Sequence, residues 1–437
     1  MKNIEDISEK QLGIITPSER EVKILNLNIN SLVLRLNSEL RKIGAFTIIG
    51  GSFAKQTIIR RNRYDIDLFV KFDYEKYRKD EKQISRILLK ILEKINKNGL
   101  FSMEILHGSR DYFRIYLKDV EKLLNLPVYI EIVPVLSIRK AGEALNVTDM
   151  SPLHVNYVLS EIKKNPDLAG SIKLAKSFCY GQGCYGAESH IRGFSGYSLE
   201  LLCMYFGSFL KLLRAAAKWN AREKTILDIP KFYKNKEDIM MEMNESKILS
   251  PLILVDPVQP SRNATAALND EKMQIFIKAA KAFLKNPSLN YFVKKEITKE
   301  DMRRRAKARG MSLMLIKAKS AKEKEDVAGA KLFKLFSMLL ERFHKEGKTE
   351  GKWRYYEQER KADFFFLFKP EKKLTMRGPP LRMEKNVQEF RKKWRRTFVK
   401  AGIVCAYRKS RSLKEIISIP KEQMKEMGIK EIKLSAK

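Results

Sequence analysis

The sequence predicts an α+β multidomain protein, with a small mixed sheet first, a helical central domain next, and a basic α+β C-terminal domain with a helical tail last. Three observations carry this reading. Residues 1–150 hold short apolar strands with few connecting helices, residues 151–270 are mostly helical in periodicity, and residues 271–437 return to strand, helix and strand in a strongly basic context. A chain of 437 residues has room for about three domains.

The first long element is a helix expected to start at Thr16, with Pro17 at its first position and Glu19 three residues on, the pattern of a capping box. Val22, Leu25, Ile29, Leu32, Leu36 and Leu40 follow at helical spacing. Thr47 to Ile49 reads as a strand ending at Gly50-Gly51, and Ser52 opens a short second helix. Strands follow at Asp65 to Phe72, Met103 to Leu106, Tyr112 to Leu117 and Val128 to Val133. From Pro152 to Trp219 the pattern is helical, and Leu199, Leu202, Phe206, Phe209 and Leu213 mark one apolar face. A polar, irregular stretch to Ser250 precedes the apolar segment Leu252 to Val255, then a helix through Ile275, Ala279 and Phe283. Farther on come a strand at Met311 to Ile316, a helix striped by Leu332, Phe336, Leu339 and Phe343, and a buried strand at Phe364 to Phe368. Gly378-Pro379-Pro380 breaks the chain before a last basic helix, Asn386 to Lys400.

Charge is the outlier of the composition. Lys and Arg number 87 against 52 Asp and Glu, a net charge of +35, and such a surplus expects a polyanionic partner, nucleic acid before anionic lipid. The cysteines Cys179, Cys184, Cys203 and Cys405 and the four scattered histidines show no zinc-type spacing. The cysteines read as small buried hydrophobes in a reducing cytosol. No run approaches transmembrane length and Met1 to Glu5 is not the start of a signal peptide. The expected location is the cytoplasm, away from membrane.

The chemistry concentrates at Asp65-Ile66-Asp67, closely behind Gly50-Gly51-Ser52. Alternate residues of a strand share a face, so Asp65 and Asp67 project together, roughly 7 Å apart along the strand. Two carboxylates so placed suit divalent cations, and two cations about 4 Å apart can activate an attacking hydroxyl and steady a leaving phosphate oxygen. Glycines let backbone N–H groups approach phosphate. Together these features suggest metal-dependent nucleotidyl transfer. A third carboxylate from a neighbouring strand is expected, and Glu131, alone among Val128 to Val133, is the candidate, since a charge in so apolar a strand is costly unless paired or metal-bound. The competing readings are solvent-facing acids at all three positions.

These residues resemble those of the archaeal-type (class I) CCA-adding enzymes, which are tRNA nucleotidyltransferases. The resemblance lies in Gly51 to Thr57, Asp65-Ile66-Asp67, Ile130 to Pro134, Tyr185 to Glu188, Arg192 to Tyr197, Asp256-Pro257-Val258, Arg262-Asn263 and Gly378-Pro379-Pro380, over most of the chain. It implies a polymerase-β-like nucleotidyltransferase sheet in residues 1–150, a nucleotide-binding central domain in 151–270 and a tRNA-binding body and tail in 271–437. The implied reaction adds C, C and A from CTP and ATP to the 3′ end of tRNA without a template. Mg²⁺ would be held by Asp65 and Asp67, and Glu131 would complete the site where the family more often has aspartate.

By the same resemblance, Gly51, Ser52, Lys55, Lys176 and Tyr185 would contact the triphosphate, and His154 and Arg262 would lie beside the nucleotide. Here Met150-Ser151-Pro152 departs from the family's Arg-Thr-Pro, and Gln259 stands where an aspartate is common. On its own, Lys176 sits on a helix whose Ile172, Ala175 and Cys179 turn inward, which leaves it pointing outward, toward phosphate or merely solvent. The alternatives are a core tyrosine at Tyr185, a cap or a satisfied core histidine at His154, and a surface arginine at Arg262. The basic residues Arg303-Arg304-Arg305, Lys307, Arg309 and Arg391-Lys392-Lys393-Trp394-Arg395-Arg396 would suit a duplex RNA backbone read by shape, against the alternative of solvated helix faces. The resemblance assigns them the tRNA acceptor and TΨC arms, and it implies a homodimer. The rival readings are a different template-independent RNA nucleotidyltransferase, such as a poly(A) polymerase or oligoadenylate synthetase, and an inactive RNA-binding relative.

Overall fold

A computed structural model describes residues 4–220, 223–321, 324–371 and 373–435, and the chain divides into two compact units, Met1–Lys295 and Glu296–Lys437. In the first unit a helix Ile4–Ile15 is followed by the long helix Glu19–Leu40. The capping box is present but formed two residues later than expected. Ser18 Oγ accepts the Glu21 N–H, while the Glu21 carboxylate takes the Ser18 N–H at 2.8 Å. Thr16 cannot serve because its N–H completes the preceding helix by donating to Leu12 O.

The sheet has the order β1-β2-β5-β4-β3, with β1 at Phe46–Ile49, β2 at Tyr64–Phe72, β3 at Ser102–Leu106, β4 at Tyr112–Tyr116 and β5 at Val128–Leu136. Only β2 and β5 run parallel; the other pairs are antiparallel. Period-two alternation in β2 sends Tyr64, Ile66, Leu68, Val70 and Phe72 into a core shared with Leu25, Leu32 and Leu36 of the long helix and Leu88 and Leu92 of the helix Gln83–Ile95. That burial pins the register, because a one-residue slip would turn Asp65 and Asp67 into the core.

A second core in the same unit is built from helices Asp167–Gly181, Gly196–Phe206, Phe209–Ala216 and Asp270–Lys285. Phe178 stands at its centre, edge-on to Phe209, Phe276, Phe283 and Phe292. The face expected to run from Leu199 to Leu213 is split between two helices, because Gly207 adopts a left-handed conformation and Ser208 caps the second. The segment expected as irregular contains β6 at Thr225–Asp228, paired in parallel with β7 at Leu252–Val255. The expected division at 270/271 falls at the start of helix Asp270–Lys285, whose phenylalanines belong to this core, and the compact unit runs on to Lys295.

The second unit holds an antiparallel sheet of order β14-β8-β10-β9, comprising β8 at Ser312–Ser320, β9 at Gly347–Tyr356, β10 at Lys361–Pro370 and β14 at Ile429–Leu434. Helix Glu325–His344 lays Leu332, Phe336, Leu339 and Phe343 on Phe364, Phe366 and Phe368. A smaller sheet joins β11 at Leu374–Pro380, β13 at Ile403–Arg408 and β12 at Thr397–Lys400. The last basic helix ends at Lys393, not Lys400. Thr397-Phe398-Val399 instead pairs with β13, and the rings of Phe398 and Tyr407 stack 4.6 Å apart. β-Branched and aromatic residues fit a pleated pair better than a helix, so the tail combines strands with the short helices Leu413–Ile417 and Lys421–Glu426. Among the described residues no helix is long and apolar enough to cross a membrane.

Candidate active site

The turn after β1 is fitted to β2. Gly50 donates its N–H to Asp67 O at 2.8 Å and Ala54 donates to Gly50 O, so the backbone N–H groups left at the start of the Gly51–Ala54 turn are those of Gly51, Ser52 and Phe53. Gly51 has φ of +60°, and a Cβ there would lie 1.7 Å from Asp67 Oδ2. Only glycine allows the turn and the carboxylate to approach this closely.

Asp67 sits directly opposite Glu131 in the parallel β2–β5 register, and Asp65 opposite Tyr129. The three carboxylates therefore share a sheet face, as expected, but their side chains do not converge. Asp65 pairs with Arg63 Nε at 3.2 Å, and Glu131 with Arg114 at 2.8 Å. Arg114 faces Glu131 from β4, and the guanidinium carbons of Arg63 and Arg114 each lie 5.2 Å from the Tyr129 ring centre. Burial, then the charge of Glu131, push the Asp67 carboxyl up to about 7 despite the nearby Lys55. Among the described residues no three acidic, histidine or cysteine side chains are gathered as a ready-made metal cage. The donor set still suits a hard divalent cation, because such ions take one or two carboxylates and complete their shell with water and substrate phosphate.

Lys55 and Lys176 are brought together where neither is solvated. Lys176 is buried, since its helix Asp167–Gly181 is enclosed on nearly every side, Leu174, Ala175, Ser177 and Phe178 included. This overturns the expectation that it points outward. Its Nζ donates to Glu200 Oε1 at 2.8 Å and to Thr57 Oγ1 at 3.0 Å, while Lys55 Nζ donates to Glu200 Oε2 at 2.7 Å. Burial raises the Glu200 carboxyl, but the two ammonium groups outweigh it and hold the group below the ordinary range. Tyr185 lies alongside: a Cβ on Gly196 would stand 3.2 Å from its hydroxyl and 3.6 Å from Lys176 Cε.

His154 and Arg262 meet at Asp256, a fully buried carboxylate after β7. Arg262 donates to Asp256 Oδ2 at 2.5 Å, His154 Nε2 lies 3.2 Å from the same oxygen, and Tyr197 donates to Oδ1 at 3.0 Å. The His154 and Tyr197 rings pack with centroids 4.4 Å apart. The basic residues are more compensated than their runs suggest. In the second unit Arg304 pairs with Asp301 at 2.5 Å and Arg305 with Glu350 at 3.4 Å, and Arg309 shares Glu350. Arg303, Arg391, Lys392 and Arg395 are exposed.

Sequence reasoning missed Arg114 and Glu200, and quoted Thr57 and Asp256 without a role. The signals were lone charges in apolar elements: Arg114 within Phe113 to Ile115, Glu200 within Leu199 to Leu202, and Asp256 at the end of Leu252 to Val255.

A mixed sheet with Asp-Ile-Asp behind a Gly-Gly-Ser turn, joined to a helical part, defines a nucleotidyltransferase of the polymerase-β-like fold. Solved structures agree on the fold. The Cid1 poly(U) polymerase with Mg and 3′-dATP bound matches 67% of this chain and 99% of its own, with a TM-score of 0.51 and 15% identity. A cytoplasmic RNA terminal U-transferase matches 68% and 100%, with a TM-score of 0.50 and 16% identity. The family model for tRNA nucleotidyltransferase, second domain, matches residues 170–293. The CCA-adding enzyme of Nanoarchaeum equitans is 33% identical over 68% of this chain and 67% of its own length. That of Saccharolobus shibatae is 33% identical over 74% and 68%. This chain belongs to the archaeal CCA-adding enzyme family.

Proposed function

We propose that this enzyme adds C, C and A to the 3′ end of tRNA from CTP and ATP, without a nucleic-acid template, releasing pyrophosphate at each step. Family membership over about two thirds of the chain carries the reading, and the Asp65–Asp67 strand fitted under Gly51 supports it. Mg²⁺ bound at Asp65 and Asp67 would polarise the α-phosphate and lower the charge on the attacking and leaving oxygens. The Gly51-Ser52 backbone receives the triphosphate, and Lys55, Lys176 and Tyr185 border it. Glu131, once released from Arg114, would accept the proton of the terminal ribose hydroxyl, a role supported by its register position opposite Asp67. The Asp256 cluster orients His154 and Arg262, whose planar fork can match base edges. The exposed cations Arg303, Arg391, Lys392 and Arg395 would engage the tRNA backbone, with Arg304 and Arg305 exchanging their acidic partners for phosphate. A homodimer is part of the proposal.

The test is extension of a tRNA that ends at its discriminator base, with magnesium, CTP and ATP. Three additions followed by a stop are expected. A homopolymer ladder, or tailing of any RNA with ATP alone, would reassign the enzyme to open-ended polymerases.

A further inference from the structure

Glu200 is the least expected charge in the first unit. Its side chain is 1% exposed, on the helix Gly196–Phe206 between buried Leu199 and Leu201. Burying an unpaired carboxylate is expensive, and here the partners come from both parts of the unit. One carboxylate oxygen takes Lys55, which follows the Gly51–Ala54 turn of the sheet part, at 2.7 Å. The other takes Lys176 of the helical part at 2.8 Å, and Thr57 Oγ1 lies 3.2 Å from that same oxygen. Lys176 also reaches Thr57 Oγ1 at 3.0 Å and Thr57 O at 3.5 Å, so the three donors of its ammonium all have acceptors. Two lysines against one carboxylate leave a single positive charge, held where phosphate is expected.

We propose that Glu200 is the positioning residue of the triphosphate subsite, holding Lys55 and Lys176 side by side beneath the Ser52 turn. The inference rests on the reading of these two lysines as triphosphate-contacting groups and adds the group that aims them. Glu200 lets two like charges stand together in a desolvated place, and fixes them before a nucleotide arrives, so less ordering remains to be done on binding. Without it, two buried ammonium groups would face one another with only neutral acceptors between them. Burial already draws the Lys55 ammonium below the ordinary lysine value with Glu200 in place. The other titratable groups whose fields reach this trio are Asp67, Lys173, Tyr185, Tyr197 and Cys203.

The experiment uses the full chain as wild type, Glu200→Gln and Glu200→Asp. It measures kcat and the KM for CTP in single C addition, from mildly acidic to alkaline pH, with tRNA affinity in parallel. In Glu200→Gln the CTP KM is expected to rise about tenfold or more at neutral pH, the loss of one charge-assisted contact. It should rise further toward alkaline pH, as an ammonium without its carboxylate sheds its proton. The kcat at saturating CTP and the tRNA affinity should stay within about twofold. Glu200→Asp, which keeps the charge one methylene short, should recover most of the loss. A folded Glu200→Gln with wild-type CTP KM at every pH would overturn the proposal, as would a loss confined to kcat or to the folded fraction. Should Glu200→Gln be insoluble, Glu200→Asp decides: a raised CTP KM supports the proposal and an unchanged one refutes it. Wild-type enzyme that cannot use CTP would instead defeat the functional reading, and this inference with it.

Discussion

Replacing Gly51 by alanine tests the fit between the turn and the carboxylate strand. Two costs arise. The first is conformational, since φ of +60° is a left-handed geometry that costs an alanine about 1 kcal/mol relative to glycine. The second is steric. The new Cβ would lie 1.7 Å from Asp67 Oδ2 and 2.7 Å from Asp67 Cγ. Ordinary contact requires about 3.4 Å or more, so either the carboxylate or the turn must shift by more than about 1 Å. A misplacement of about 1 Å in a reacting constellation costs about a hundredfold in rate. The expected result is a fall in single-turnover CMP incorporation of about a hundredfold, with thermal unfolding lowered by only a few degrees and tRNA affinity kept. Incorporation within about threefold of wild type would refute the argument that this contact sets the position of Asp67.

Other outcomes follow from the same structure. Asp67→Ala should lower incorporation by about a thousandfold, corresponding to ~4 kcal/mol of lost charge stabilisation, while tRNA binding measured by filter retention persists; retained activity would remove the metal mechanism. The tRNA affinity should fall steeply with added salt, by about 0.7 to 0.9 log units per decade for each phosphate contacted, and replacing Arg391 or Arg395 with alanine should reduce that slope by about 1; a flat salt response would dismiss the role given to the tail. Glu346 accepts two bonds from Arg408, at 2.6 and 3.0 Å, and one from the Arg411 N–H at 2.9 Å. Burial raises its carboxyl, but these partners prevail and hold it below the ordinary value of 4.5. A depressed carboxyl stabilises the fold above its unfolded pKa and loses that contribution as pH falls through the folded value. Glu346→Gln should therefore lower stability by about 2 kcal/mol at neutral pH, and the gap to wild type should close in strong acid; a gap independent of pH would contradict the pairing.

What could be read from the chain without coordinates was whatever local periodicity controls. Asp65 and Asp67 share a face because β2 alternates with a period of two and its apolar members fill a core. The stripe Leu332, Phe336, Leu339 and Phe343 announced a helix for the matching reason at a period of 3.6. Ser18 in place of Thr16 as the cap, and the strand at Thr397–Lys400, show where local signals compete and neighbouring elements decide between them. Lys176 was misjudged because reading one inward stripe assumes an outward face, and its helix has almost none.

Composition and periodicity indicated the fold class, and the resemblance carried by the motifs indicated the reaction family and the residues proposed for the site. Which charges neutralise one another was settled only in three dimensions. Lys55 meets Glu200 across 145 positions of sequence, and Arg114 meets Glu131 only because β4 lies beside β5 in that register. Electrostatic partners are chosen by distance through a folded, desolvated interior, and sequence separation carries no information about that distance.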